Sequence, residues 1–159
     1  MSATRDYLLR LENNLMLGSG RWIADFTESF WDFRVGDTTF EMLILGNMRP
    51  RGFLLSRFFA WLTLPAYGVA CFAYTKDPQL NRLGTQIRSI KRYMKEQDLT
   101  WSWFVLPGED PLTKRARAVV QKNDLREIGI VLVDLTAQEV VTNDSFLGRR
   151  MGQLVRGFK

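Results

Sequence analysis

"YGVACFAYTKDPQLNRLGTQIRSIKRYMKE", Tyr67 to Glu96, begins as an uncharged, aromatic and branched run and ends as a helical pattern. The first part predicts a buried strand over Tyr67 to Thr75. From Gln79 to Glu96, Leu83, Ile87, Ile90 and Met94 recur three and four residues apart, which predicts a helix with one apolar stripe. The same order follows again downstream. "WSWFVL", Trp101 to Leu106, reads as a strand. Leu112 to Lys122 reads as a helix burying Leu112, Ala116, Val119 and Val120, and "IGIVLVDL" is the next long strand. Strand–helix–strand–helix–strand implies parallel pairing through crossovers. Apolar strands without strict alternation fit a sheet covered on both faces. The expected class is therefore α/β, a three-layer sandwich around a mixed, largely parallel sheet.

Outward from this unit the signals are more local. Leu8, Leu11 and Leu15 predict an N-terminal helix that Gly18 stops. "FWDFRV" and "TTFEMLIL" flank Gly36-Asp37 and predict a β-hairpin. "NMRPRG" is a break, and "FLLSRFFAWLTL" fits a helix with Leu54, Phe58, Trp61 and Leu62 on one side. "EVVT" is a short strand. Phe146 to Phe158 predicts a last helix with Leu147, Met151, Leu154, Val155 and Phe158 inward. No linker divides the chain, so 1–159 is expected to form a single α/β domain. Phe58 to Tyr74 carries no charge, but Pro65 and Gly68 interrupt it. It reads as a helix ending before Pro65 and then a strand, with a membrane span or surface anchor as the other reading.

Composition bounds the chemistry. The chain has 159 residues, a net charge of +5, one Cys and no His. A disulfide framework, Cys/His zinc sites and any His-based triad are excluded, and carboxylates, Lys and Tyr remain as candidate catalysts. Cys71 lies within an apolar run and is expected in the core. The polar start lacks a basic segment followed by an apolar one, so a cytoplasmic location is expected. The positive charge favours an acidic partner.

"AYTKDPQLNR", Ala73 to Arg82, is echoed by "LPGEDPLTKR", Leu106 to Arg115. Asp is a favoured helix N-cap and Pro suits the first helical position, so Asp77-Pro78 and Asp110-Pro111 read as two helix starts. The functional alternative is a site at the carboxyl ends of the strands, where α/β sheets bind ligands. Lys76, Asp77, Glu109, Asp110 and Asp134 are expected near that edge, where Mg²⁺ is the cofactor such a cluster would take. Capping explains Asp134 least.

The order helix, hairpin, strand, helix, strand, helix, strand resembles the restriction-endonuclease-like fold. "GVACFAYTKDPQLNRLGTQIRSIKRYMKE" resembles the central strand and following helix of its Mrr-like branch, and "WSWFVLPGEDPLTKRARAVV" with "GIVLVD" resembles the last strand–helix–strand. The resemblance covers roughly Tyr67 to Asp134. It implies an Asp or Glu followed by Glu/Gln-x-Lys on the next strand, holding Mg²⁺ and positioning the attacking water. Here the acid and Lys positions of that strand fall on Ala70 and Phe72. Placed on the hairpin, the motif gives Asp32 and Glu41, with Leu43 where Lys belongs and Lys76 as a replacement from the strand end. The resemblance therefore implies a degenerate site. The other reading of Asp32 and Glu41 is a solvent-facing pair.

Charge distribution points elsewhere. Arg88, Lys91, Arg92 and Lys95 share one face of the helix after Asp77, and no acid occurs between Gln79 and Lys95. Arg149, Arg150, Arg156 and Lys159 follow Asp144 without an acid, and Arg49, Arg51 and Arg57 mix with aromatics. Such groups pair with phosphates and stack on bases, although each alone also fits a solvated face. The sequence thus points to a non-catalytic protein that associates with nucleic acid or an acidic protein partner. The alternatives are a subunit docking, or forming an oligomer, through the apolar 53–65 region around Phe53, Phe58 and Trp61, and an atypical Mg²⁺ nuclease.

Overall fold

The computed structural model describes residues 2–18, 20, 23–48, 67–75 and 77–157. The first element is helix α1, Ala3–Met16, capped by Ser2, whose hydroxyl accepts the Arg5 N–H at 3.3 Å. Its stripe of Leu8, Leu11 and Leu15, joined by Tyr7, is buried. Strands β1 (Asp25–Val35) and β2 (Thr38–Met48) form the hairpin, both longer than their sequence cores. Gly36 turns it at φ +57°, a conformation that glycine adopts without strain.

Strand β3, Tyr67–Ala73, pairs antiparallel to β2. Helix α2 (Leu83–Glu96) leads to β4 (Leu99–Gly108), and helix α3 (Lys114–Gln121) leads to β5 (Ile128–Asp134). β3, β4 and β5 are mutually parallel. A short strand β6, Glu139–Thr142, turns back antiparallel to β5 and precedes helix α4, Phe146–Arg156. The six strands stand in the sheet in their order along the chain, from β1 to β6. The fold is α/β with a mixed, partly parallel sheet, as the strand–helix alternation predicts.

Two cores lie on the two faces of this sheet. One joins α2 and α3 to Phe40, Phe72, Phe104 and Ile130. The other joins α1 and α4 to Phe26, Ile44, Trp103 and Val131. Every residue of β5 is buried, which is why that strand shows no alternation in sequence. α4 lies close to β5: a Cβ on Gly129 would stand 2.6 Å from the Gly148 nitrogen. The Trp103 indole closes the contact by donating to the Leu147 carbonyl at 3.0 Å.

Neither Asp-Pro pair opens a helix. α2 begins at Leu83, not at Gln79. Leu80 turns inward at φ +57° and is buried, so the chain bends before the helix can start. Asp77 serves this bend: its carboxylate accepts the Arg82 N–H at 2.7 Å and its carbonyl the Leu80 N–H at 3.2 Å. α3 begins at Lys114, not at Leu112. Thr113 is the cap, accepting the Ala116 N–H at 3.0 Å, and Asp110 stands upstream in an exposed loop. The predicted helix "FLLSRFFAWLTL", Arg49, Arg51, Arg57, the 53–65 docking region, Lys76, Phe158 and Lys159 lie outside the described residues.

Candidate functional site

The two carboxylates suggested for a nuclease centre stand at one step of the hairpin. Asp32, exposed, and Glu41 lie between the Trp31–Met42 and Phe33–Phe40 pairs of the hairpin. A regular strand keeps residues two apart on one face. Here Trp31 and Met42 belong with the α1/α4 core, and Phe33 and Phe40 with the α2/α3 core. Both strands change face at the Asp32–Glu41 step, and Asp32 accommodates the change at φ 51°. Glu41 then binds the end of β3: its carboxylate accepts the Thr75 N–H at 2.8 Å and the Thr75 hydroxyl at 2.7 Å. Ala70 and Phe72, where the family motif would stand, are fully buried.

A cleft of about 190 Å³ does lie beyond the carboxyl ends of β3, β4 and β5, bordered by Asp77, Glu109 and Asp110. Its acids are structural where their partners are described. Asp77 supports the bend before α2, and Glu109 accepts the Thr4 N–H at 3.3 Å and the Thr4 hydroxyl at 3.1 Å, tying α1 to the end of β4. Asp134 is not in this cleft. It is buried and caps the β5–β6 turn, accepting the Thr136 and Ala137 N–H groups at 2.9 and 2.8 Å. That turn is the capping role the sequence did not reveal. Asp134 on β5 stands three strands from Glu41 on β2, roughly 14 Å at the usual strand spacing. Among the described residues no group of three His, Cys, Asp or Glu side chains has a metal-holding arrangement. Cys71 is wholly buried, and burial pushes its thiol up to about 12, away from reactivity.

The basic residues divide into two places. Arg88, Lys91, Arg92 and Lys95 are all exposed on the outer face of α2. Lys91 pairs with Glu127 at 3.3 Å and Arg92 with Glu96 at 3.2 Å, while Arg88 donates to the Thr85 hydroxyl at 3.1 Å. Burial raises the Glu127 carboxyl pKa, but the Glu127 and Arg126 N–H groups and Lys91 outweigh it, and the net shift is downward. Exposed pairs of this kind contribute little and exchange partners readily. Arg149 and Arg150 are exposed on α4, which packs on the opposite sheet face, and Arg149 pairs with Asp144. The two clusters cannot form one continuous patch.

A feature the sequence reading missed lies at the foot of α2. A cavity of about 240 Å³ is lined by Asp37, Thr38, Tyr74, Arg82, Thr85 and Gln86, among others. Gln86 is 1% exposed, and neither its amide nitrogen nor its amide oxygen has a hydrogen-bond partner. Arg88 reaches the cavity rim through Thr85, and the Arg92 guanidinium lies 3.6 Å from where a Cβ on Gly36 would stand, beside Asp37. The signal was present: Gln86 falls three residues after Leu83 and four before Ile90, on the apolar stripe.

Comparison with known proteins finds no matching family model, no matching curated protein and no matching solved structure. Among the described residues no helix is long and apolar enough to cross a membrane. The uncharged run after Pro65 enters the sheet as β3.

Proposed function

We propose that this chain is a non-catalytic nucleic-acid-binding protein that meets its ligand with the outer face of α2. Its fold is inferred to be a three-layer sandwich of restriction-endonuclease-like type with a degenerate motif. The element order supports that inference, as does the α2/α3 pair set against α1/α4 across the sheet. The observation that carries the function is the exposed set Arg88, Lys91, Arg92 and Lys95, on a helix with no acid before Glu96. Phosphates would displace Glu127 and Glu96 from Lys91 and Arg92, because the α2 cations are held only by surface pairs.

Binding of single- and double-stranded DNA and RNA, measured at several salt concentrations, tests this reading. Affinity is expected to fall steeply with salt. Changing Arg88 and Arg92 together to Gln is expected to weaken binding and flatten the salt dependence by about one unit per lost phosphate contact. Changing Arg149 and Arg150 to Gln, on the far side of the sheet, is expected to leave that slope unchanged. Absence of binding at low salt, or equal binding by the α2 double variant, overturns the proposal. Incubation of plasmid DNA with the protein and Mg²⁺ or Mn²⁺ is expected to leave the DNA intact. Cleavage that disappears in Asp32→Ala or Glu41→Ala would restore the nuclease alternative.

A further inference from the structure

We infer that an unpaired nucleic-acid strand stacks its bases on Phe30 and Phe33, at the outer edge of the sheet beside α2. The inference rests on the nucleic-acid reading above and names the form of the ligand. A lone exposed apolar residue needs no explanation. Phe30 is not alone. It is 39% exposed on β1, the outermost described strand on that side of the sheet. Its ring centroid lies 5.7 Å from that of half-buried Phe33, which packs edge-to-face on Tyr93 of α2, also at 5.7 Å. A regular strand puts residues three apart on opposite faces. The change of face at Asp32 brings Phe33 to the side of Phe30 and so creates the ring pair.

Cations from two elements meet at the end of this row. The Arg34 Nε donates to the Gly36 carbonyl at 2.9 Å, and the Arg92 guanidinium lies 3.6 Å from where a Cβ on Gly36 would stand. Both arginines are exposed, and like charges held at one turn favour an anion between them. Glu96 holds Arg92 at 3.2 Å through a surface pair that a phosphate can replace. The acids Glu28, two residues before Phe30, and Asp37, beside Gly36, are also exposed, so the row is not a purely cationic surface. Bases take the rings, and phosphates take the arginines and the rest of α2. An aromatic platform beside a basic track holds single strands with little sequence preference. A duplex cannot use the rings, because its base faces are already stacked on one another.

The test measures binding of single-stranded oligothymidylate and of a mixed-sequence DNA duplex at several salt concentrations, on wild type, Phe30→Ala, Phe30→Trp and Arg34→Gln. Phe30→Ala is expected to weaken single-strand binding by about tenfold, the order of one base stack, with duplex binding and the salt slope unchanged. Phe30→Trp keeps a stacking surface and is expected to bind the single strand at least as well as wild type. Arg34→Gln is expected to flatten the single-strand salt slope by about one unit. If Phe30→Ala does not fold, Phe30→Leu, which keeps apolar bulk without an aromatic face, decides in its place. Single-strand binding unchanged by loss of the ring, or a loss equal for single strand and duplex, overturns the stacking row. If Arg88→Gln/Arg92→Gln still weakens binding in that case, the α2 surface stands without it. No binding of either probe at low salt overturns both.

Discussion

Asn143 is wholly buried where β6 ends, and its amide joins three segments. Its oxygen accepts the Ile130 N–H at 2.9 Å and the Ser145 hydroxyl at 3.0 Å, and its nitrogen donates to the Ile128 carbonyl at 3.0 Å. Ser145 in turn caps α4 by accepting the Gly148 N–H at 2.9 Å. Asn143→Ala orphans several buried groups, so urea unfolding should report a loss of at least about 1–3 kcal/mol. The two Asp-Pro pairs should behave differently from each other. Asp77→Ala removes the acceptor of the Arg82 N–H and should cost about 0.5–2 kcal/mol, as should Thr113→Ala, whereas Asp110→Ala should be nearly neutral. Equal losses at Asp77 and Asp110 would contradict these assignments. Sequence alone made the pairs look equivalent, because Asp-Pro reports a turn or a cap without saying which residue closes the helix. Titration adds a further check. A hydrogen bond from Arg117 holds the Glu139 carboxyl below its ordinary 4.5. Its contribution is present above that value and is lost as pH falls through the lower folded value. Arg117→Ala should therefore flatten the acid limb of stability against pH. At the other end, Cys71 ionises at 9.0 when unfolded and near 12 when folded, so stability should fall as pH rises between them. Cys71→Ala should reduce that alkaline slope.

The hairpin is the element whose pattern misleads most. Its runs are rich in aromatic and branched residues, so its existence is legible, but the change of face at Asp32–Glu41 is not. A period-two reading assigns one face throughout, and only the packing of Trp31 and Phe33 into different cores reveals the switch. Asp tolerates the left-handed conformation far better than a branched residue does. Asp32→Val should lose about 1–2 kcal/mol, whereas Asp32→Gly should be tolerated, as thermal unfolding of both variants would show. If Asp32→Val is neutral, the conformation is not what sets the hairpin. The helices were legible for a different reason. Their apolar residues recur over successive turns, so α1, α2, α3 and α4 are all legible, with differences mainly at their ends. Those ends depend on Leu80 turning inward or Thr113 capping, which periodicity does not encode. β6, at four residues, was readable because it is a compact branched run directly after a turn.

For the molecule as a whole, the alternation after Tyr67 was enough to predict the α/β class and the parallel pairs. The candidate site was not, because it depends on which faces the helices cover. Seen along the chain, α2 and α4 each carry an acid-poor basic stripe. Seen in the fold, the sheet separates them, and Asp134 is separated from Glu41 by the same sheet's width. Gln86 was overlooked because a single polar residue on an apolar stripe has meaning only when its partners, or their absence, are known. The strand order has a bearing on how the chain reaches this state. Among the six described strands each pairs with the one made just before it, so none of them waits for a distant partner or is inserted later between two others. Pairings close in sequence need less loop closure, and domains that emerge from the ribosome assemble from the N-terminal side. The sheet can grow in the order of synthesis. α4 is made after all six described strands and completes the core that α1 began, so these two helices share one face only once the sheet between them in sequence exists.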